Sequence, residues 1–562
     1  MTIVLSLCKL KLTKEASIVQ NKQLEMTVVE MIDRIGYDET IAAIASIGYR
    51  QAIEQNSLVK DQKLYERSVS FTAVLNSNDV KTVSDFLSDK SNEGIAKFVL
   101  DCMAIDTVFS ENSPTELCNL VIDLLKIQSG DEVCDFGSGA GAFLANVLLQ
   151  GKEKPKVIGE EINPELADVS RILLSLLGAN KGKIETGNVV DSKLGGYSKA
   201  FTFPPFAIKM FTGSEYRVSR MCPSLTFSNR NGSEWIFIDR MLSGLANGGR
   251  AVAFVCGRAL FSKQDKPYRD FLLKKGLIES IIELPSNLLF NTAIKIYAIV
   301  FSTKNSHVRL ADAEDCVSTS TRKKNILDMG KVLELLNSDK ITRKSNEELE
   351  SCENLTPSIL TLEVKKPSNA KSLREVSEII TGCQYTVSHF EEKFTDDENG
   401  LCVLTPNDIQ NGMIELDGLR KIESDGKSLN KFLLKQGDVV ITTKSSKVKT
   451  AVVDIKPDRK IIAIGGILII RPDLSTINPT YLKIYLDSQN GQSALKKVQK
   501  GVVIMTINPK NLESLLVPVP NMIIQNSKAE KYNELLSTLA AYSYEMKKIE
   551  QKINEFNLEG EE

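Results

Sequence analysis

The amino-acid sequence predicts a multi-domain α/β protein with a helical N-terminal domain, a Rossmann-like domain and a C-terminal α+β domain that ends in a long helix. Three patterns support this prediction. Apolar residues recur at helical spacing near the N-terminus, short apolar runs alternate with helical segments in the middle, and a charged stretch without proline or glycine follows near the C-terminus. A chain of 562 residues has room for several domains, each with its own core.

Residues 1–107 predict a helical domain, because Val28, Met31 and Ile35, and then Ile41 and Ile44, lie three or four positions apart. Residues 108–304 predict a doubly wound sheet, in which short apolar runs alternate with helical segments. The predicted strands are Glu132–Asp135, Lys156–Glu161, Ala251–Val255, Ile278–Leu284 and Ile296–Phe301.

Residues 305–370 are polar and predict a connector with one short helix at Val332–Leu336. Residues 371–520 contain short Val/Ile runs, such as Gly437–Thr443 and Ile461–Arg471, and predict a second globular domain. Residues 521–562 predict a long helix, with apolar side chains at three- and four-residue steps. Such a stripe packs either on its own domain or on a partner helix.

Composition narrows the possible functions. The 70 Lys plus Arg nearly balance the 72 Asp plus Glu, so any surface for nucleic acid must be local. Ten cysteines without a CxxC pair and only two histidines, His307 and His389, argue against a disulfide framework, a metal site and a Ser/His triad. The N-terminus lacks the features of a signal peptide and no uncharged run is long enough to cross a membrane, so we expect a cytoplasmic protein.

The sharpest motif is a glycine-rich loop. A predicted strand ends at Asp135, and Gly137, Gly139 and Gly141 open the next helix. Without Cβ atoms, these positions let the backbone turn tightly against a ligand. Glu161 ends the following strand, where a carboxylate can accept hydrogen bonds from ribose hydroxyls. The pair predicts a site for a nucleoside cofactor.

Two other interpretations fit the glycines alone. The spacing also satisfies the dinucleotide fingerprint of a dehydrogenase, and a tight turn that binds no ligand would need the same residues. A dehydrogenase rarely needs an acid two positions before the first glycine, whereas a methyltransferase uses it to hold the ammonium group of S-adenosylmethionine. Asp135 therefore favours S-adenosylmethionine as the cofactor.

Between Ser113 and Pro357 the chain resembles the modification subunits of type I restriction-modification systems, the gamma-class adenine-N6 DNA methyltransferases. The segments that carry the resemblance are Ser113–Leu117, Val133–Leu144, Gly159–Pro164, Ile184–Asn188, Gly248–Phe254, Ile282–Phe290 and Asn354–Pro357. The resemblance implies an S-adenosylmethionine-dependent methyltransferase domain. It places Asp135, Gly137, Gly139, Gly141, Glu161 and Asn188 at the cofactor, with Asn188 where many relatives carry Asp.

The catalytic signature of the family, Asn-Pro-Pro followed by Tyr or Phe, is altered here to Phe203-Pro204-Pro205-Phe206. In the family, the flipped adenine stacks on the aromatic residue, while the Asn side chain and a Pro carbonyl accept hydrogen bonds from its amino group. Phe206 can stack and Pro204 can accept, but Phe203 offers no acceptor. The resemblance therefore implies weak or absent methyl transfer, unless another polar side chain supplies the acceptor.

Residues 371–520 resemble one target-recognition domain of a type I specificity subunit. The matching segments are Leu373–Gly382, Leu404–Gly412, Leu434–Ile441, Ile470–Asp473, Pro479–Leu482 and Leu515–Pro520. Such a subunit usually has two of these domains and two long helices, whereas this chain has one of each. The resemblance implies that the terminal helix pairs between chains, in a homodimer or in a heteromer with another methyltransferase or specificity-type subunit.

Lysines are concentrated locally in this domain. One group is Lys431, Lys435, Lys444, Lys447 and Lys449, and a second is Lys496, Lys497 and Lys500. Lysine runs are commonly solvated surface, but with this resemblance they predict contacts to the phosphates of double-stranded DNA.

The sequence thus predicts a sequence-specific DNA-binding protein of a restriction-modification or defence-type complex, with S-adenosylmethionine as cofactor and impaired methyl transfer. The alternative is an active, site-specific DNA adenine-N6 methyltransferase with an unusual pocket. A methyltransferase for protein or RNA would suit the glycine loop, but the C-terminal domain argues against it.

Overall fold

The computed structural model describes most of the chain. The described residues are 22–104, 114–150, 154–179, 182–206, 208, 216–289, 294–320, 324–383, 394–395, 397, 400–416, 418–423, 427–444, 448–455, 459–500 and 506–558. The chain divides into two compact units, with the boundary between Thr361 and Leu362. The predicted domain limits remain predictions.

The described N-terminal residues are helical, as the sequence predicts. The helices are α1 (Lys22–Ile35), α2 (Tyr37–Glu54), α3 (Gln62–Thr72), α4 (Ser77–Leu87) and α5 (Asn92–Met103). Asp61, Asn76 and Ser91 cap α3, α4 and α5, because each side chain accepts a hydrogen bond from a backbone N–H three residues later.

The rest of the first unit is a nine-stranded mixed sheet with its helices and two short hairpins. Its helices are α6 (Thr115–Leu125), α7 (Ala142–Gln150), α8 (Pro164–Leu176), α9 (Ser233–Ser243), α10 (Gly257–Phe261), α11 (Lys266–Lys274), α12 (Met329–Asn337), α13 (Asn346–Glu350) and α14 (Pro357–Leu360). Its strands are β1 (Glu132–Phe136), β2 (Lys156–Glu161), β3 (Lys183–Thr186), β4 (Tyr197–Thr202), β5 (Arg217–Val218), β6 (Thr226–Phe227), β7 (Leu245–Cys256), β8 (Ile278–Glu283), β9 (Ile296–Phe301), β10 (His307–Asp312), β11 (Val317–Ser320), β12 (Asn325–Leu327) and β13 (Thr342–Ser345).

The large sheet has the strand order β13-β10-β8-β9-β7-β4-β1-β2-β3. Strands β3, β2, β1, β4 and β7 are parallel, while β9 is antiparallel to both of its neighbours. The chain runs outward from β1 to β3 and then returns to place β4 on the other side of β1. In open sheets of this kind, ligands bind outside the carboxyl ends of the strands where the order reverses.

The prediction that residues 305–370 are only a connector is wrong for part of this range, because β10 and β13 extend the sheet. β10 pairs with β8, β13 pairs with β10, and the predicted short helix lies within α12. The sequence HVRLAD of β10 alternates polar and apolar residues, with Val308 and Leu310 buried. Its polar composition resembled a loop, and only pairing with β8 makes it a strand.

The N-terminal helices share one hydrophobic core with α6, α7 and α8. A polar contact strengthens this packing, since Arg67 Nε donates to the Asp168 carboxylate at 2.8 Å. On α8, the helix of Asp168, Arg171 donates to the Ile184 carbonyl and to the Thr186 hydroxyl, both at 2.8 Å. The N-terminal helices therefore pack against the helix that connects β2 to β3.

In its described residues, the second unit contains small sheets and five α-helices. The strand β14 (Ala370–Ser372) comes first. The helices are α15 (Leu373–Val376), α16 (Pro479–Asp487), α17 (Gln489–Val498), α18 (Pro509–Glu513) and α19 (Met522–Leu558). The other strands are β15 (Ser377–Thr381), β16 (Leu401–Leu404), β17 (Ile409–Gln410), β18 (Met413–Ile414), β19 (Lys421–Ile422), β20 (Val439–Thr442), β21 (Thr450–Val452), β22 (Ile461–Ala463), β23 (Ile467–Pro472), β24 (Gln499–Lys500), β25 (Thr506–Ile507) and β26 (Leu516–Pro518).

The run Ile461–Arg471, predicted as one strand region, is two strands of different sheets. β22 pairs with β16 in a three-stranded sheet, whereas β23 lies between β15 and β20 in a four-stranded sheet. Gly466 adopts φ +97 in the turn that separates β22 from β23. A glycine is favoured there because other residues rarely adopt that conformation.

The terminal helix α19 confirms the predicted long helix, and the contacts that its described side chains make with their own unit lie near its start. Gln525 is fully buried, and its side chain accepts from the Asn478 N–H at 2.8 Å and donates to the Thr476 carbonyl at 3.1 Å. Lys483 Nζ donates to the Tyr532 hydroxyl at 2.6 Å. Farther along, six apolar side chains are 51–68% exposed, namely Leu535, Leu539, Tyr542, Met546, Ile549 and Ile553.

Within the described residues, none of the helices combines the length and the apolar character that a membrane span requires.

Candidate functional site

The glycine loop between β1 and α7 has the backbone that the sequence predicts. Gly137, Gly139 and Gly141 adopt φ values of +76, +54 and +87. At Gly141 a Cβ atom would lie 2.4 Å from the Ser170 hydroxyl oxygen and 3.1 Å from the Ser170 Cα on α8. Glycine is therefore needed at this position both for its conformation and for close contact with α8.

Glu161 lies at the carboxyl end of β2 and joins two loops. One carboxylate oxygen accepts a hydrogen bond from the Gly139 N–H and the other accepts one from the Asn163 N–H, each at 2.8 Å. A carboxylate oxygen can accept two hydrogen bonds, so each oxygen can also accept one from a ligand hydroxyl. The carboxylate thus fixes the glycine loop and keeps the capacity for a ribose that the sequence predicts.

Asp135 lies in β1 beside this loop and is 3% exposed. Burial, and secondly the negative charge of Glu161, raise the pKa of its carboxyl group well above the usual range. Burial and the neighbouring negative charge disfavour the charged form of Asp135, and a cationic ligand group would relieve this. Among the described residues, no three His, Cys, Asp or Glu side chains are grouped to hold a metal ion.

Asn188 follows β3 and is exposed. Its side-chain oxygen accepts a hydrogen bond from the Val190 N–H at 3.0 Å and so begins the short 3-10 turn Val189–Asp191. Ile162 directly follows Glu161, the last residue of the neighbouring strand β2, and is 65% exposed. Sequence reasoning missed Ile162, although an apolar residue after the predicted acid was visible. An exposed apolar side chain beside that acid suits the flat face of a purine.

The Phe203–Phe206 segment follows β4, on the side of β1 opposite to β2. The Phe203 ring is half-buried and makes edge-to-face contacts with Phe254 at 5.2 Å and with Phe206 at 5.5 Å between ring centroids. Phe254 also contacts Phe201, which contacts Phe143 on α7. Phe203 is thus the outer member of an aromatic cluster that continues into the core, and its ring also contacts the ring of Phe206.

The two prolines differ in exposure, since Pro204 is buried and Pro205 is exposed. The Pro205 carbonyl accepts a hydrogen bond from the Ser233 hydroxyl at 3.2 Å, which connects the segment to the first turn of α9. The Thr202 hydroxyl donates to the Phe136 carbonyl at 2.8 Å and connects the ends of β4 and β1. Neither contact was predicted, because each joins residues distant in the sequence.

The structure separates the first predicted lysine group. Lys444 follows β20 and Lys449 precedes β21, whereas Lys431 and Lys435 precede the other end of β20. Lys431 lies over the Phe432 ring, 4.9 Å from its centroid. Lys447 lies outside the described residues.

The second lysine group meets the Lys444 end of β20. Thr506 on β25 pairs with Lys500 on β24 and forms a bridge with Lys444, so these three backbone positions lie on adjacent segments. Lys496 and Lys497 lie in the last turn of α17, just before β24. We call Lys444, Lys449, Lys496 and Lys497 the basic surface. It combines residues from both groups.

The chain is similar to proteins of DNA modification systems. Residues 111–373 match the model of the N-6 DNA methylase family. The chain is 24% identical over 212 residues to the MpnII type I restriction enzyme methylase subunit of Mycoplasma pneumoniae, covering 34% of this chain and 39% of that protein. It is 24% identical over 143 residues to the EcoBI type I restriction enzyme specificity subunit of Escherichia coli, covering 25% of this chain and 30% of that protein.

Both of these matches therefore span less than half of the relative. Among solved structures, the type I restriction-modification methyltransferase subunit from Streptococcus thermophilus is similar over 59% of this chain and 83% of that chain. The sequence identity is 17% and the TM-score is 0.46.

The raised pKa of Asp135 predicts a pH effect on stability. In the folded protein the pKa of the Asp135 carboxyl group lies above its unfolded value of about 3.9. The stability that this group contributes is therefore fully present below about pH 4, and it is lost as the pH rises towards the folded pKa. Asp135→Asn removes this loss. The variant should therefore become more stable relative to the natural chain as the pH rises above about 4.

Denaturant unfolding at a series of pH values, followed by circular dichroism, measures the difference. The matched control is Asp89→Asn, because the Asp89 side chain is 78% exposed and should change little. Parallel stability curves for the natural chain and Asp135→Asn would contradict the prediction.

Proposed function

We propose that the chain, whose residues 111–373 match the model of the N-6 DNA methylase family, is a sequence-specific DNA-binding protein that binds S-adenosylmethionine and has impaired methyl transfer. The observation that carries the proposal is the packing of Phe203. Its ring stands where the family has the catalytic asparagine, and it contacts Phe206, which would stack on the target base.

The residues at the carboxyl ends of β1, β2 and β3 fit S-adenosylmethionine. Asp135 would hold the ammonium group, because a buried acid next to another acid favours a cation. Glu161 would accept hydrogen bonds from the ribose hydroxyls, and Ile162 and Asn188 would contact the adenine. When bound, the cofactor supplies an activated methyl group.

The chemistry of an adenine amine explains why Phe203 matters. The lone pair of that nitrogen is delocalised into the ring, so hydrogen-bond acceptors must draw the amino hydrogens out of conjugation. A phenyl ring provides no acceptor. Loss of one positioned polar group in an active site commonly lowers the rate by about a hundredfold to a thousandfold. The Phe203–Phe206 contact adds a second obstacle, because a base that stacks on Phe206 must displace it.

Phe203→Asn should increase methyl transfer, because it restores an acceptor and frees Phe206. It should also lower the stability of the first unit by roughly 1–3 kcal/mol, since it removes a half-buried ring from the aromatic cluster. Transfer of a radiolabelled methyl group to unmethylated genomic DNA measures the gain. Calorimetry on the same samples measures binding of S-adenosylmethionine, which Gly139→Asp should abolish.

A matched control is Phe86→Asn, which removes a partly buried ring from the Phe86–Phe98 pair in the N-terminal helices. It should lower stability without a gain in methyl transfer. Robust transfer by the natural chain would overturn impaired catalysis and favour the alternative, an active adenine-N6 methyltransferase. Binding of NADH in place of S-adenosylmethionine would overturn the methyltransferase assignment itself.

We assign DNA recognition to the second unit. Its sequence resembles a target-recognition domain, and the basic surface brings together lysines that are about fifty residues apart in the sequence. Phosphates attract such a surface at any DNA sequence. The likeness to a specificity subunit covers 25% of this chain and supports the same assignment.

Each Lys→Ala change at Lys444, Lys449 or Lys496 should weaken DNA binding and flatten its salt dependence by about 0.9 in the logarithmic slope. A phosphate contact releases counterions, and its loss removes that release. Fluorescence anisotropy of duplex DNA over a range of salt concentrations gives the slope. Lys63→Ala on α3 is the control, because Lys63 is exposed in the first unit. Equal slopes for all variants would show that these lysines are ordinary solvated residues and do not contact phosphates.

The terminal helix would join the chain to a partner. From Leu535 to Ile553 its exposed apolar side chains alternate four- and three-residue steps, which is the seam of a left-handed coiled coil. The contacts of Gln525 and Tyr532 hold only the first turns on the second unit. We therefore assign the seam to a second helix, from another copy of this chain or from a sister subunit.

Removal of residues 533–562 should convert a dimer, or a heteromer with a sister subunit, into a smaller species, while the home contacts of Gln525 and Tyr532 remain. Light scattering measures the mass. The double change Leu539→Lys and Met546→Lys keeps the helix length and should have the same effect by charging the seam. A mass that neither change alters would contradict helix pairing.

A further inference from the structure

We propose that the hairpin formed by β5 and β6, residues 216–227, is a second DNA contact of this chain, at the rim of the candidate site. In this proposal Arg217 and Arg220 contact phosphates, and Tyr216 and Val218 lie against sugar and base edges in a groove of the duplex. The inference rests on the proposed DNA binding and adds a contact outside the basic surface of the second unit.

The hairpin lies beside the candidate site. Arg220 donates a hydrogen bond from Nη1 to the Ser192 carbonyl at 2.5 Å, and the Arg217 guanidinium lies 3.7 Å from the Asp191 carboxylate. Asp191 and Ser192 belong to the turn that Asn188 begins at the carboxyl end of β3. Along the chain, the hairpin follows the Phe203–Phe206 segment. It therefore stands at the carboxyl edge of the sheet, where a substrate would approach.

A buried carboxylate holds the hairpin in place. Asp239 on α9 is fully buried and accepts hydrogen bonds from the Ser219 hydroxyl, from the Arg220 N–H at 2.8 Å and from the Met221 N–H at 3.1 Å. It also accepts one from the Tyr268 hydroxyl at 3.0 Å. Breaking a satisfied buried network is costly, so this network fixes the conformation of the hairpin.

The hairpin exposes apolar side chains on this rigid support. Tyr216 is 64% exposed and Val218 is 52% exposed, whereas Phe227 on the partner strand is 2% exposed. Val218 lies on β5 and Tyr216 directly precedes this strand, and both side chains are exposed to solvent. One exposed apolar residue is ordinary, but an aromatic and a branched residue held side by side form a contact surface.

The charge of the segment identifies nucleic acid as the partner. Residues 206–232 contain four basic residues, Lys209, Arg217, Arg220 and Arg230, and one acid, Glu215. The Arg217–Asp191 pair is long and solvent-exposed, so exchanging it for a phosphate costs little. A guanidinium has five N–H donors, which lets Arg220 keep its contact to Ser192 and still bind a phosphate. Apolar residues between cations match a groove that is lined by phosphates.

Two double variants of the full chain test the proposal. Arg217→Gln with Arg220→Gln should flatten the salt dependence of binding by nearly two in the logarithmic slope, because two phosphate contacts are lost. Tyr216→Ser with Val218→Ser should weaken binding roughly five- to tenfold at every salt concentration and leave the slope unchanged, because only apolar contact is lost. The probe is sheared, unmethylated genomic duplex in fluorescence anisotropy.

Val59→Ser is the matched control for the apolar pair, because Val59 is 91% exposed in the N-terminal helices. Calorimetric binding of S-adenosylmethionine verifies that each variant is folded. Absence of DNA binding by the natural chain would contradict the proposed function. If the natural chain binds and the basic-surface variants flatten the slope while both hairpin variants bind normally, the hairpin proposal alone is wrong. Loss of cofactor binding with normal DNA binding would assign the hairpin to the cofactor site and overturn the proposal.

Discussion

The bond between Glu161 and the glycine loop is the interaction on which the candidate site depends. Its carboxylate joins the Gly139 N–H to the Asn163 N–H and so fixes the ends of β1 and β2 relative to each other. The same negative charge contributes to the raised pKa of Asp135. Glu161 thus fixes the loop and, after burial, is the second cause of the raised pKa of Asp135.

The other half of the site follows a different physical rule. At the end of β4 the contacts are between aromatic rings, because Phe203 extends the aromatic cluster of Phe143, Phe201 and Phe254 towards solvent. Such packing stabilises the carboxyl end of β4, since each aromatic pair contributes about 0.5–1.5 kcal/mol beyond the effect of the buried area. In the proposed function, a catalytic acceptor would need a polar atom at the same place, so stability and methyl transfer would make opposite demands on this position.

The remaining elements carry other surfaces of each unit. The N-terminal helices pack on α8, between the strands that end at Glu161 and Thr186. The Asp239 network fixes the β5–β6 hairpin beside the turn of Asn188. In the second unit, α19 begins in buried polar contacts and continues as an exposed apolar seam. Both units thus present surfaces for a partner on a well-packed support.

The sequence by itself determined what local pattern can encode. It predicted the glycine loop, the strands that end at its acids, the loss of the acceptor at Phe203 and the terminal helix, because motifs and periodicity lie within short segments. Only the tertiary structure decided that β10 joins the sheet, that Ser233 contacts Pro205 and that Lys444 meets the second lysine group. Those contacts join residues far apart in the chain, and no local period records such pairing.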